Sequence, residues 1–385
     1  MKKTISILAA ALMSLAAIAQ PGPRPGEGPQ EPVTKHGDPD EKVLIAYVFG
    51  DRQMPDPTYL THINYAFGHV NETFDGVLLH PKDSAMLMNI TALKKDYPHL
   101  KVLLSIGGWG SGRFSEMVTD PKLRMSFAKD CKRVVDEFDL DGIDIDWEYP
   151  TSNAAKISCA PTDTDNYTLM MRDIRKCIGK DKLLTQATVA NARFIDFKAV
   201  DKYIDYTNAM TYDLGNAPYH NSTLHRSGLT QPNQMSVEEG ILAHLAAGVP
   251  KEKLVLGMPF YGHVSRFFPR RGFNSATSTV YIGYTYHWDP IAKVPYLTDD
   301  ETGEMVNGFE DQKSLYYKAK YALDMGLKGA MYWAYNGDTP AGDYRRTVYQ
   351  VLNGLDCGLV LQKPAEPGRQ AVQTPMMDPP QPANR

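Results

Sequence analysis

Short apolar runs rich in β-branched and aromatic residues recur along the chain, separated by longer stretches with helical spacing: VLIAYVF, HINYAF, KVLLSIG, LDGIDID, LLTQATV, YTNAMTY, LVLGMPF and GLKGAMYWA. Runs of this length and composition predict strands, and the segments between them predict helices. One such helix follows Pro121 and reaches Glu137, with Leu123, Phe127, Val134 and Phe138 roughly on one face; another spans Ser314 to Met325 ahead of the last run. Eight β/α units over about 300 residues fit a TIM (β/α)8 barrel, which usually takes about 250 residues plus insertions. A doubly wound open sheet is the competing α/β arrangement on pattern alone.

One interval is too long for a simple crossover. Between about 263 and 310 the chain carries Phe267, Phe268, Phe273, Tyr281, Tyr284, Tyr286, Trp288 and Tyr296. This reads as a small β-rich subdomain inserted between strands seven and eight, with some of these aromatics forming its own core. No internal repeat at solenoid periods is present.

The two ends break the pattern. Lys2 and Lys3 precede an apolar run from Ile5 to Ile18 that closes on Ala17, Ile18 and Ala19. Residues 1–19 therefore read as a signal peptide cleaved after Ala19, the run being short for a membrane span and followed at once by Pro, Gly and charge. With no cysteine near that site to accept a lipid, a secreted product without a membrane anchor, extracellular or periplasmic, is expected. Residues 20–40 read as a Pro/Gly-rich linker and 358–385 as a Pro/Gln-rich disordered tail, neither of which should pack. The folded unit is then 41–357.

Composition changes this picture little. Of 385 residues, 43% are hydrophobic and 22% charged, which suits a soluble globular body with a substantial core. A formal net charge of −4 supplies no basic field for a phosphate backbone, so nucleic acid is disfavoured as a partner and a neutral polymer is compatible. Cys131, Cys159, Cys177 and Cys357 form no metal signature. An even count in a chain bound for an oxidising compartment permits disulfides, and buried free thiols fit equally well. Sequons begin at Asn71, Asn89, Asn166 and Asn221, and matter only in a host that glycosylates its secreted proteins.

The chemistry concentrates in DGIDIDWEYP, where Asp144, Asp146 and Glu148 fall at i, i+2 and i+4 between Ile143, Ile145 and Trp147. In a strand, period 2 puts all three carboxyls on one face. Inside a barrel they converge in low dielectric near the C-terminal strand end, where repulsion and desolvation keep at least one protonated and available as a general acid. A solvated acidic edge would not alternate with Ile, Ile and Trp in this way. A divalent-cation site is a second alternative, but no His or further acidic cluster lies nearby to complete a hydrolytic metal centre, and no metal or cofactor is expected.

These residues resemble the signature of the family 18 glycoside hydrolases, Asp-Gly-x-Asp-x-Asp-x-Glu, matched by Asp141, Gly142, Asp144, Asp146 and Glu148. The Ser-x-Gly-Gly motif of that family stands at Ser105 to Gly108, followed by Trp109; its Met-Thr-Tyr-Asp stands at Met210 to Asp213. The seventh strand ends Gly-Met-Pro-Phe-Tyr-Gly at 257–262, and the eighth carries Trp333. Five motifs in order at successive strand ends make chance a poor explanation.

The resemblance implies a retaining, substrate-assisted glycosidase acting on β-1,4 bonds between N-acetylglucosamine units of chitin or its oligomers. Glu148 would protonate the glycosidic oxygen and later activate water, while Asp146 holds the acetamide N–H and shares a proton with Asp144. Tyr212 would align the acetamide oxygen and Trp333 would floor the reacting sugar. The resemblance extends the substrate-binding set to Tyr47, Phe67, Gly108, Trp109, Tyr149, Met210, Asp213 and Tyr261, with Ser105 supporting the acid pair. Asp141, out of phase with the other three, is expected to serve the strand entry. The insertion resembles the family's α+β one in abbreviated form, and His263 stands where many relatives place Arg. Neither tail is expected to fold into a carbohydrate-binding module, which favours soluble oligomers over crystalline chitin. The expected partner is a carbohydrate and the expected state a monomer. An endo-β-N-acetylglucosaminidase acting on N-glycan cores and a non-catalytic sugar-binding protein are the competing functions; the insertion argues against the first and the intact Glu148 against the second.

Overall fold

The computed structural model describes residues 32–50, 53–264 and 283–359. The expected signal peptide, most of the linker, the tail from 360 onward, and Phe267, Phe268, Phe273 and Tyr281 lie outside the described residues.

Eight strands form the centre: β1 (Val43–Phe49), β2 (His62–Val70), β3 (Lys101–Gly107), β4 (Gly142–Asp146), β5 (Leu183–Val189), β6 (Tyr206–Met210), β7 (Leu254–Pro259) and β8 (Gly329–Trp333). Each pairs in parallel with the next, and β8 returns to β1, so the sheet closes into a TIM barrel. The open-sheet alternative is thereby excluded. The helices around it include α1 (Pro81–Ala92), α2 (Phe114–Thr119), α3 (Pro121–Glu137), α4 (Asp163–Ile178), α5 (Phe197–Val200), α6 (Val237–Ala247), α7 (Gln312–Asp324) and α8 (Asp343–Leu352).

The period-2 alternation sorts each strand between two cores. On β1, Leu44, Ala46 and Val48 join the large cluster beneath the helices, while Val43, Ile45 and Tyr47 point into the barrel with Ala66, Tyr212, Val255 and Met331. On β4 and just past it, Ile143, Ile145 and Trp147 take the helix side, which leaves Asp144 and Asp146 for the interior. Trp147 is fully buried, stacked on Phe114 at 5.2 Å and tilted against Tyr167 at 6.2 Å.

Two expectations need correction. On α3 the buried stripe runs through Phe127, Cys131 and Val134, but Leu123 is only half-buried and Arg124 takes the buried position. Its Nε donates to Asp173 of α4 at 2.8 Å and its Nη1 to the Val118 carbonyl at 2.9 Å, so the charge is paired where a leucine would otherwise pack. The linker, expected not to pack through residue 40, already does so from Lys35. The Lys35 amide donates to the Tyr349 hydroxyl at 2.8 Å, and the His36 ring stacks on His99 at 3.5 Å. Hydrogen bonds through His36, invisible to a composition argument, anchor a segment that buries little apolar surface.

The described part of the insertion is a four-stranded antiparallel sheet in the order Tyr284–Asp289, Val294–Asp299, Met305–Gly308 and His263–Val264. Leu297 and Phe309 form its core, with Tyr284 packed against them. Among the described residues between β7 and Glu310 there is no helix. All four cysteines are described and free.

Because Trp147 is the outward anchor directly beside the acidic residues, Trp147→Ala should cost about 3–5 kcal/mol, as for other buried aromatics cut to alanine. Denaturant unfolding of the purified protein measures this; a loss under about 1 kcal/mol would contradict the packing described.

Candidate active site

All three carboxyls of the acidic motif lie at the C-terminal end of β4, with sharply different surroundings. Asp144 is fully buried on the barrel axis. Its Oδ2 accepts from the Tyr47 hydroxyl at 2.9 Å and the Ser105 hydroxyl at 2.8 Å; its Oδ1 accepts from the Thr185 hydroxyl at 2.5 Å and from Asn208 Nδ2 at 3.2 Å. Burial raises its pKa, and these four donors pull it back by stabilising the charged form. Asn208 Nδ2 also donates to the Tyr47 hydroxyl at 3.2 Å, tying β1 to β6 through the same cluster.

Asp146 is also buried, but its Oδ1 has no hydrogen-bond partner among the described residues. Desolvation, then the charges of Glu148 and Asp144, hold its pKa well above the ordinary carboxyl range. A carboxyl in this setting is biased toward its protonated form. Glu148, one pleat further on, is partly exposed, and its pKa is pushed up to about 7 by desolvation, with Asp213 adding to the rise and Tyr149 opposing it.

The adjoining strand end is shaped to let β4 reach this position. A Cβ on Gly107 would stand 2.0 Å from the Asp146 carbonyl oxygen, and one on Gly108 would stand 2.7 Å from the Phe67 ring. Both glycines have positive φ, 131° and 91°. Gly108 N–H donates to the Asp146 carbonyl at 2.8 Å, so the Gly-Gly turn fixes the backbone of the residue whose side chain is left unpartnered.

Around the acids stand the other expected residues. Tyr212 is buried, and among the described residues its hydroxyl reaches only the Met331 thioether, at 3.9 Å, a weak acceptor. Met210 packs on the same interior cluster. Asp213, exposed and at φ 59°, accepts from the Tyr261 hydroxyl at 2.5 Å and lies 2.8 Å from His263 Nε2. His263 Nδ1 meets Asn216 Oδ1 at 2.7 Å, so the residue at the position in question is tied into the loop after β6. Trp333 is half-buried, its ring near-parallel to Phe67 at 5.6 Å and to Phe49 at 5.3 Å. Trp109, 63% exposed, meets Tyr149 edge-on at 6.3 Å, and Tyr149 stacks on Phe194 at 5.4 Å. Asp141 sits at the opposite end of β4, accepting from the Val102 amide at 2.9 Å and pairing with Lys94 at 3.3 Å.

Four contributors escaped the sequence reading. Thr185 and Asn208 are inward residues of β5 and β6, and strict alternation from the neighbouring motifs would have exposed them. Phe49 is the last residue of β1, and Phe194 lies in the loop after β5, where no period applies. Three non-proline peptide bonds at this barrel end are cis: Ala66–Phe67, Glu148–Tyr149 and Trp333–Ala334. Among the described residues no group of three or more His, Cys, Asp or Glu is arranged to hold a metal ion.

A barrel with a buried acid pair and a partly exposed third acid at its C-terminal mouth defines a class of hydrolytic site. The model for glycosyl hydrolases family 18 matches residues 39–338, and the chain belongs to that family. It is similar to Chitinase A1 of Niallia circulans, 30% identical over 74% of this chain and 53% of that one. Probable chitinase 2 of Drosophila melanogaster is 29% identical over 75% of this chain and 68% of its own length. The chain thus spans only about half of the Niallia relative, 53%. Among solved structures, a family 18 N-acetylglucosaminidase from Paenibacillus barengoltzii superposes with a TM-score of 0.72 at 31% identity, over 81% of this chain and all (100%) of that one.

Since the Asp213 charge contributes to raising Glu148, Asp213→Asn should move the Glu148 titration midpoint below about 7. Difference infrared or carbon-13 NMR titration of the carboxyl in the free protein measures it. An upward move would show that the attributed repulsion is wrong.

Proposed function

We propose that the chain is a secreted retaining glycosidase that cleaves β-1,4 bonds between N-acetylglucosamine units by substrate-assisted catalysis. The observation that carries this reading is the buried, unpartnered oxygen of Asp146 next to the titrating Glu148. An acetamide N–H on a bound sugar meets that oxygen, whereas a plain hexose carries a hydroxyl at C2 and so has no acetamide carbonyl to attack C1.

Glu148, protonated below about pH 7, gives its proton to the glycosidic oxygen as the bond to C1 breaks. The acetamide carbonyl oxygen of the same sugar attacks C1, forming an oxazolinium ion. Asp146 hydrogen-bonds the acetamide nitrogen and stabilises the positive charge developing there. The Tyr212 hydroxyl, with only a thioether for a partner, is free to hold the acetamide oxygen on its attacking line. Glu148, now a carboxylate, takes a proton from water as the water opens the ring at C1, restoring the β configuration. Asp144, held by four donors, stays in place and keeps the neighbouring proton on Asp146. Trp333 offers the apolar surface for the reacting sugar, and Trp109, Tyr149 and Phe194 extend aromatic surface along the rim.

The chitinase names of the relatives and the N-acetylglucosaminidase name of the structural neighbour support the substrate class. The four-stranded insertion beside β7 favours linear N-acetylglucosamine chains over N-glycan cores, and the presence of Glu148 favours an enzyme over a sugar-binding protein. The apolar run before residue 20 supports export.

Product analysis on chito-oligosaccharides and on an N-glycopeptide tests the proposal. Wild type should cleave the oligosaccharides, and Glu148→Gln should lose about 10²–10⁴-fold in kcat, the range of a general acid. Oligomers lacking the acetyl group on the reacting sugar should resist cleavage; rapid hydrolysis of them would mean a protein nucleophile and would overturn the substrate-assisted route.

A further inference from the structure

The residue assigned to the acetamide oxygen, Tyr212, stands where the sheet has already ended. The β6 ladder to β5 closes at Met210, and that to β7 at Ala209, so Thr211, Tyr212 and Asp213 have no strand partner. Yet the Tyr212 hydroxyl has, among the described residues, a single polar contact, the 3.9 Å one to Met331. Its aim therefore depends on how the flanking backbone is held.

On the Asp213 side, the amide donates to Asn221 Oδ1 at 2.8 Å, and the next amide, of Leu214, donates to the Asn221 carbonyl at 2.9 Å. On the Thr211 side, the carbonyl accepts from the Ser222 hydroxyl at 2.7 Å. That hydroxyl has one proton, committed to Thr211, so toward Lys318 Nζ, 3.0 Å away, it is the acceptor. Lys318 on α7 is ion-paired in turn with Glu310, which follows the inserted sheet. Lys318 is 0% exposed, Glu310 1% and Ser222 1%, so a full ion pair has been taken out of water to serve one serine hydroxyl. A buried pair of this kind is seldom a net gain in stability over apolar packing. Its effect here is directional: the ammonium polarises the Ser222 O–H toward the Thr211 carbonyl, and a charge-assisted relay replaces the missing ladder bond.

We propose that Glu310, Lys318 and Ser222 form a positioning relay that fixes the backbone of Tyr212 and so aims its hydroxyl at the substrate acetamide. This rests on the substrate-assisted reading above. None of the three touches substrate; they act through Tyr212. The relay also joins α7 and the end of the insertion to the chemistry.

The test compares wild type, Ser222→Ala, Ser222→Thr and the double variant Glu310→Gln/Lys318→Met, each also in a Tyr212→Phe background. The readouts are kcat and KM on p-nitrophenyl chitobioside, inhibition by a thiazoline analogue of the oxazolinium intermediate, and thermal unfolding. Ser222→Ala should lower kcat about tenfold with KM little changed, and weaken the thiazoline by a similar factor, since both depend on the same oriented hydroxyl. Ser222→Thr should restore most of the loss. In the Tyr212→Phe background, Ser222→Ala should change kcat by less than about twofold, because groups acting through one residue are non-additive. Ser222→Ala leaves the ion pair intact and carries the test by itself if the double variant does not fold. Wild-type kcat and inhibition in a folded Ser222→Ala overturn the relay, as does an equal loss with or without the Tyr212 hydroxyl. Failure of wild type to cleave any chito-oligosaccharide overturns the function, and the relay with it; normal wild-type cleavage with unaffected variants overturns the relay alone.

Discussion

Taking a carboxylate out of water costs several kcal/mol unless hydrogen bonds or a retained proton offset it, and β4 drives two carboxyls into one barrel. Asp144 and Asp146 have nearly the same burial, and the structure answers the cost in opposite ways. Four donors from β1, β3, β5 and β6 converge on Asp144, so four strands each give up an inward apolar position to satisfy one residue. Asp146 receives none at Oδ1, and its pKa is held well above the ordinary carboxyl range. The asymmetry defines the site: Asp144 is held by four donors, while Oδ1 of Asp146, one pleat further on, has no partner among the described residues.

Holding that oxygen in place falls to the backbone. The Gly107–Gly108 turn leaves no room for a Cβ on either residue, because β3 must pass within contact of the Asp146 carbonyl and the Phe67 ring. Gly108 N–H then bonds that carbonyl. The same economy applies across the barrel at β6, where the ladder stops one residue short of Thr211 and side-chain bonds from Thr211 to Gly257 and from Ser222 to Thr211 take over. Side chains at the C-terminal mouth are aimed by short bonds to strand-end backbone, while regular pairing holds the barrel below.

Much of this was legible in the sequence because it follows from period. The eight runs read as strands begin within three residues of the observed starts, since a strand buried on both faces leaves a continuous apolar signature. The placement of Asp144 and Asp146 inward, with Ile143, Ile145 and Trp147 outward, is the same period applied to one segment. What escaped has no period. Arg124 occupies a core position only because Asp173 lies across from it, and His36 anchors the linker only because His99 and Thr58 are near in space. The aromatic rim is similar: Phe194 reaches Tyr149 from a positive-φ loop position, and Phe49 reaches Trp333 from the last residue of β1. Motif matching located the strand ends that carry chemistry. It named Ser105 and Tyr47 but not the other two donors around Asp144, because Thr185 and Asn208 belong to runs read only as strands.

Three acids of one segment end in three different surroundings, and the gradient runs along a single strand. Asp144 sits deepest, where side chains of the closed barrel surround it on every side and donors are available. Asp146 lies one pleat higher, where the interior widens toward the mouth and no donor reaches its Oδ1. Glu148 lies beyond the ladder, partly exposed, with its pKa at about 7. A group that must give a proton and then take one back works best with a pKa near the ambient pH, and only the outermost position provides it. Burial as deep as that of Asp146 biases a carboxyl toward its proton and so opposes the second step; one fully in water would be ionised before the first. The two-residue spacing of the motif is therefore also a spacing in dielectric, and the strand sorts the acids by depth before any substrate arrives.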